Sequence, residues 1–350
     1  MRLSVVLEQC LAPVPGGTGR YSREIAAALA RTAADEVSGV VAWHRDVTAA
    51  TVPGVGGPTR LGLPRRALVA AWERGLGPRP SGDVVLAPTP LHPGGGAPTV
   101  VVVHDAVPWT HPETLTPRGV AWHRAQVTRA ARDAALVVVP TRAVADELAR
   151  HVTLRVPVLV VGEGVSADLV VPADADARAQ RLALPERYLL TVATLEPRKG
   201  LDVLLAALAL PGAPDLPLLC VGQDGWGDVR VDRGRARLMG RVSDPDLAVL
   251  LDRATVLVVP SRAEGFGLPL LEAMSAGTPA VTSEVPALVE VGGGAARTTP
   301  LEAGALAEAL AEVAGDEALR ARMSLAGRAR AAAYTWDGAA GLLWTALRSV

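Results

Sequence analysis

At 350 residues, 49% of them hydrophobic, the chain exceeds what one core readily fills, and it predicts two domains. Its 35 basic and 36 acidic side chains leave a formal charge of −1, which excludes the basic field that nucleic acid requires. The apolar residues fall in short runs, far below the ~20 residues of a membrane span, and the two cysteines, Cys10 and Cys220, are too distant to suggest a disulfide framework or a metal site.

In chain order, Val/Leu-rich runs predict strands at Leu3–Leu7, Val37–Trp43, Asp83–Ala87, Thr99–His104, Leu136–Pro140 and Val156–Val161. Ala/Arg-rich helical stretches fill the gaps. A second series runs through Tyr188–Ala193, Leu216–Val221, Arg237–Met239, Thr255–Pro260 and Pro279–Thr282, followed by helical segments Leu301–Val313, Glu317–Ala332 and Trp336–Ser349. This alternation is the α/β pattern of two Rossmann-like domains, each a parallel sheet covered by helices, with a cleft between them. The expected boundaries are an N-terminal domain at 1–168, a linker at 169–186, where strand signal is poor, a C-terminal domain at 187–335, and a last helix, 336–350, that is a candidate to cross back. The apolar N-terminus is too short for a signal peptide and reads as a first buried strand, so the expectation is a cytoplasmic protein.

In doubly wound sheets the loops beyond the strand ends carry ligands. The first such loop, Pro15-Gly16-Gly17-Thr18-Gly19, departs from a dinucleotide fingerprint: Ser22 stands where a third glycine would, and His44 ends the second strand where an acid would. Gly17 either lets backbone approach a phosphate or an acceptor, or is a plain tight turn. His104, at the end of its strand, can hydrogen-bond a sugar hydroxyl or an acceptor group, or be structural. The remaining histidines lack metal-ligand spacing.

Thr194-Leu195-Glu196-Pro197-Arg198-Lys199-Gly200 opens the first helix of the second domain with two adjacent cations, a placement the helix dipole disfavours. A guanidinium can take two phosphate oxygens while an ammonium takes charge building on a leaving oxygen, so the pair suits a diphosphate. Lys199 is the single lysine of the chain, just as Phe266 is the single phenylalanine. Further on, Glu264-Gly265-Phe266-Gly267-Leu268-Pro269 joins a strand to a short helix that stops at Gly277. Its free amides can bind phosphate, while Glu264 and Glu272 address hydroxyls. Capping acids alone would explain the same string. The Asp-x-Asp strings at Asp174–Asp176 and Asp244–Asp246 read as linker and helix cap, so no metal is implied.

Taken together these residues resemble the retaining glycosyltransferases of family 4, which have the GT-B fold. The resemblance spans nearly the whole chain and is most specific at Val259–Val281, where Glu264 and Glu272 are separated by seven residues. It implies that Glu272 binds ribose, that Glu264 and the amides of Phe266, Gly267 and Leu268, beside Gly265, hold the donor sugar, and that Arg198 and Lys199 hold the diphosphate. It also implies a base near Val242, Gly17 approaching the phosphates, and His104 facing donor sugar and acceptor. The catalytic set is then Lys199, Arg198, Glu264 and His104, acting without metal or cofactor to move a hexosyl group from a nucleotide-diphosphate sugar, GDP-mannose by family weight, to a glycan, lipid-linked or small-molecule acceptor.

Two departures stand out. Ala193 and Thr194 replace a Gly-Arg pair common in the family, and Gly200 stands where asparagine is frequent. Rival readings are an epimerase or phosphorylase of the same fold and a non-catalytic donor-binding protein. Arg65, Arg66 and Arg74 around Trp72, on a helix expected over Leu63–Gly75, allow peripheral contact at the inner face of the plasma membrane, although an ordinary surface helix has the same pattern.

Overall fold

The computed structural model describes residues 1–223, 225 and 236–350. They divide into two compact units, Met1–Glu163 with Thr335–Val350, and Gly164–Tyr334.

The first unit is built on seven parallel strands: β1 (Arg2–Val6), β2 (Glu36–Trp43), β3 (Gly56–Pro64), β4 (Val84–Ala87), β5 (Thr99–Val102), β6 (Leu136–Val139) and β7 (Val158–Val160). Their order is β3-β2-β1-β4-β5-β6-β7, so the winding reverses between β1 and β4. Along the central strands both faces are buried, as for Val100, Val101 and Val102, which is why they read as continuous β-branched runs and not as alternating ones. Five helices cover them: α1 (Gly16–Thr32), α2 (Arg65–Glu73), α3 (Val107–Thr110), α4 (Pro117–Asp133) and α5 (Arg142–His151). Thr116 and Thr141 cap α4 and α5 by accepting amide hydrogen bonds from Gly119 and Val144.

Strand β3 has no counterpart among the runs predicted above, because its sequence is rich in glycine and proline and only Leu61 along it is buried. It forms by edge pairing with β2, in an irregular register that shifts twice. Helix α2 carries the Trp72 around which the arginines of the membrane reading cluster. Trp72 is fully buried, donating from its indole nitrogen to the Pro78 carbonyl at 2.9 Å, so it is a core anchor. Trp72→Ala is expected to cost about 3–5 kcal/mol of stability in urea denaturation, the usual cost of emptying a buried aromatic site; a loss below about 1 kcal/mol would contradict this packing.

Among the described residues the second unit has six parallel strands, β8 (Leu189–Val192), β9 (Leu218–Val221), β10 (Ala236–Gly240), β11 (Val256–Val259), β12 (Ala280–Ser283) and β13 (Arg297–Thr299). Their order is β10-β9-β8-β11-β12-β13, with the reversal between β8 and β11. Around them lie α6 (Ala175–Arg181), α7 (Leu201–Leu208), α8 (Asp244–Arg253), α9 (Leu268–Ala276), α10 (Pro286–Gly292), α11 (Ala303–Gly315) and α12 (Glu317–Ala331). One face of the sheet packs Leu190, Leu257 and Val259 against α8, α9 and α10; the other packs Leu189, Val256 and Val258 against α7 and α11.

The stretch 169–186, read as a linker, lies inside the second unit. Leu169, Leu182 and Leu184 pack on its core, and Arg178 bridges Asp174 at 2.7 Å and Asp246 at 2.8 Å, fastening α6 to α8. That pairing also gives two acids of the Asp-x-Asp strings a structural use. The last helix, α13 (Trp336–Leu347), belongs to the first unit: its Trp344 indole donates to the Leu29 carbonyl at 3.1 Å, and Trp336 meets the Tyr21 ring edge-on at 5.6 Å. Among the described residues no helix is long and apolar enough to cross a membrane.

Candidate active site

Because the second sheet reverses between β8 and β11, the loops leaving these two neighbouring strands emerge side by side. The first carries the cations. After β8, Pro197–Lys199 form a single 3₁₀ turn, closed by the Lys199 amide donating to the Glu196 carbonyl at 3.0 Å. Gly200 then adopts φ 65° and starts α7. A β-carbon on Gly200 would lie 1.9 Å from the Pro260 carbonyl oxygen, so only glycine lets this turn press against the end of β11. The Arg262 amide completes the fastening, donating to the Arg198 carbonyl at 2.8 Å, while the Arg262 guanidinium reaches Asp202 at 2.6 Å.

The loop after β11 supplies the acid. Lys199 Nζ donates to Glu264 Oε1 at 2.6 Å and Arg198 to Glu264 Oε2 at 3.2 Å, so residues 65 and 66 positions apart in sequence meet on one carboxylate. Ser261 Oγ adds a bond to Oε1 at 2.7 Å. On its own turn, Arg198 also donates to Glu196 Oε1 at 2.6 Å. Burial pushes the Glu264 carboxyl up, but the charges of Lys199 and Arg198, with hydrogen bonds from Lys199 and Ser261, outweigh it and bring its pKa down to about 2. Glu264 is therefore ionised at any physiological pH.

Sequence reasoning brought Arg198, Lys199 and Glu264 together by residue type but passed over Glu196 and Ser261. An acid two residues before an arginine looks like an ordinary surface pair. Its burial, to 2% exposure, is a tertiary fact. The second Glu196 oxygen is buried without a hydrogen-bond partner among the described residues, beside a small cavity lined by Thr191, Lys199 and Cys220.

Gly267 (φ 96°) caps the start of α9, placing Leu268 and Pro269 in its first turn, and Gly277 (φ 85°) ends it. Glu272 lies on α9 and is 3% exposed. The Phe266 side chain points into the core, 4% exposed and edge-on to Tyr334 at 5.5 Å, so only its backbone can serve a ligand. Val242 follows β10 and packs against the same core.

Gly17 and His104 lie in the first unit. Gly17 is exposed in the first turn of α1. His104 Nε2 stands 2.8 Å from the Pro88 carbonyl oxygen, and Nδ1 lies 3.7 Å from Glu163 Oε1, so both ring nitrogens face acceptors of their own unit. Burial lowers its pKa, but the Glu163 carboxylate, the Pro88 carbonyl and Asp105 together raise it above the usual imidazole value. With the folded pKa raised, this contribution to stability is complete below the unfolded value of about 6.5 and is lost as pH rises through the higher folded value. Glu163→Gln is accordingly expected to lower the His104 pKa and flatten that loss. Imidazole NMR titration checks the first effect and urea melts across pH the second; an unmoved titration would exclude the pairing.

Among the described residues no group of three or more His, Cys, Asp or Glu side chains could hold a metal ion. The comparisons bear on the unit that contains the Lys199–Glu264 pair. Residues 173–330 match the family Glycosyl transferases group 1.

O-antigen chain mannosyltransferase B of Escherichia coli is 37% identical to the chain over 162 residues, covering 43% of this chain and 42% of that protein. The chain spans about half the length, or less, of the curated relatives it matches. In structure it resembles a sucrose-phosphate synthase from Thermosynechococcus elongatus, with a TM-score of 0.81 at 22% identity over 100% of this chain and 98% of the other. It also resembles HepE from Anabaena, solved in complex with UDP-glucose, with a TM-score of 0.74 at 19% identity over 100% of both chains. Two parallel sheets in this topology, matching these neighbours over the whole chain, are the GT-B fold.

Proposed function

We propose that the chain is a retaining, metal-independent glycosyltransferase that takes a hexosyl group from a nucleotide-diphosphate sugar, with GDP-mannose as the first candidate donor. The observation that carries this reading is the meeting of Lys199, Arg198 and Glu264 within 3.2 Å at the reversal point of the second unit. The likeness to a mannosyltransferase favours mannose, and that to a protein solved with UDP-glucose supports a diphosphate-linked sugar as donor class.

In the proposed step the anomeric carbon–oxygen bond to the diphosphate breaks, and an acceptor hydroxyl oxygen bonds to that carbon from the same face. The acceptor proton passes to the departing phosphate oxygen, giving a glycoside and a nucleoside diphosphate. Negative charge grows on the leaving oxygen as the bond opens, and Lys199 and Arg198 stabilise it where it forms. Glu264 accepts hydrogen bonds from donor-sugar hydroxyls, the amides of Phe266, Gly267 and Leu268 hold the same sugar, Glu272 binds ribose, and Val242 borders the base. His104 is left out of the chemical step, since its nitrogens are engaged within its own unit. The acceptor is a glycan, a lipid-linked sugar or a small molecule.

A thermal-shift panel of nucleotide sugars tests the donor, because a ligand of the folded state raises the melting temperature with its affinity. GDP-mannose is expected to give the largest shift, and nucleoside diphosphate should be released only when an acceptor is present. A new free sugar isomer appearing without acceptor would overturn transfer in favour of epimerisation.

A further inference from the structure

Among the described residues, the side chains assigned to the diphosphate are already neutralised. Arg198 and Lys199 contribute two positive charges; Glu196 and Glu264, bonded to them at 2.6 Å each, contribute two negative ones. All four are less than a fifth exposed, so solvent screens the cluster weakly. A diphosphate entering this arrangement would add two uncompensated negative charges to a partly buried site. The cations can serve it only if one of the carboxylates is released.

The geometry distinguishes the two acids. Glu196 belongs to the same turn as Arg198, is 2% exposed, and its other oxygen has no competing partner among the described residues. Glu264 arrives on a separate loop, is more exposed at 8%, and makes the longer contact to Arg198, 3.2 Å against 2.6 Å. We infer that Glu264 is an internal stand-in for the donor diphosphate: its carboxylate occupies Lys199 and Arg198 in the donor-free protein and is exchanged for phosphate oxygens on binding, while Glu196 keeps Arg198 in position throughout. This rests on the proposed function, since it concerns the same diphosphate. The released carboxylate then becomes free to accept from the donor sugar, so one displacement both loads the cations and arms the sugar contact.

Opposite signs are expected for the two acids, which a merely structural role for both would not give. Full-length protein is titrated by calorimetry with inorganic pyrophosphate, UDP and GDP. Glu264→Gln, which removes the competing charge at constant shape, should bind all three about tenfold more tightly while losing transfer; Glu196→Gln should bind them about tenfold more weakly. Ser261→Ala, which loosens Glu264 without touching a charge, should tighten binding by about threefold and guards against misfolding of the glutamine variant. Wild-type binding with unchanged or weakened binding in both Glu264→Gln and Ser261→Ala overturns the exchange and leaves the donor reading intact. If none of the three probes binds wild type or any variant, the donor reading falls and the exchange with it.

Discussion

Lys199→Arg is expected to reduce turnover of nucleotide sugar by about two to three orders of magnitude although the charge is kept, the scale found when one donor to a developing negative charge is removed. The ammonium is a compact point charge that reaches Glu264 Oε1 at 2.6 Å from a side chain only 16% exposed. A guanidinium is planar and wider, and Arg198 already fills the adjoining space with its contacts to Glu196, Ala263 and Glu264. The substitution therefore moves positive charge away from the position the leaving oxygen takes. Steady-state kinetics with the donor found in the thermal-shift panel measures the effect, and melting curves show whether the fold is intact. More than about a third of wild-type kcat in the arginine variant would remove the point-charge role.

Gly200→Ala should do as much damage through the backbone. A left-handed conformation costs a residue with a β-carbon roughly 1–2 kcal/mol. Here that carbon would also lie 1.9 Å from the Pro260 carbonyl oxygen and 3.0 Å from its carbon, main-chain atoms at the end of β11 that cannot swing aside. The expected result is a loss of roughly 3 kcal/mol or more in denaturant unfolding, together with loss of the thermal shift by nucleoside diphosphates. Both follow because the turn cannot move off Pro260 without separating Lys199 from Glu264. Unfolding within about 0.5 kcal/mol of wild type would mean that the two loops are less closely packed than described. The frequency of asparagine here in the resembled family fits the left-handed turn, which asparagine tolerates, but not this close approach.

Most of the sheet framework was legible because buried parallel strands are written as uninterrupted Val and Leu runs. β3 was not, since Gly56, Gly57 and Pro58 carry no strand signal and the pairing comes from β2. The segment expected as a linker is a similar case: Pro172, Asp174 and Asp176 look like a spacer, and the contact that binds the segment comes from Arg178, whose partner Asp246 lies 68 residues away. Within the site, residue type and loop position marked Arg198, Lys199 and Glu264. What they could not give was occupancy, because whether two acids already neutralise two cations depends on burial and on distances across two loops. The two singletons show the same limit: Lys199 sits in the charged cluster, whereas Phe266 packs into the core.

The return of α13 to the first unit has a consequence during synthesis. As the polypeptide leaves the ribosome, residues 1–163 emerge well before 335–350, yet Leu29 and Tyr21 find their Trp344 and Trp336 partners only in that late segment. The intervening unit can close its own core first, so the first unit is completed only after it, and its uncovered α1 surface stays exposed to chaperones until residues 335–350 have emerged.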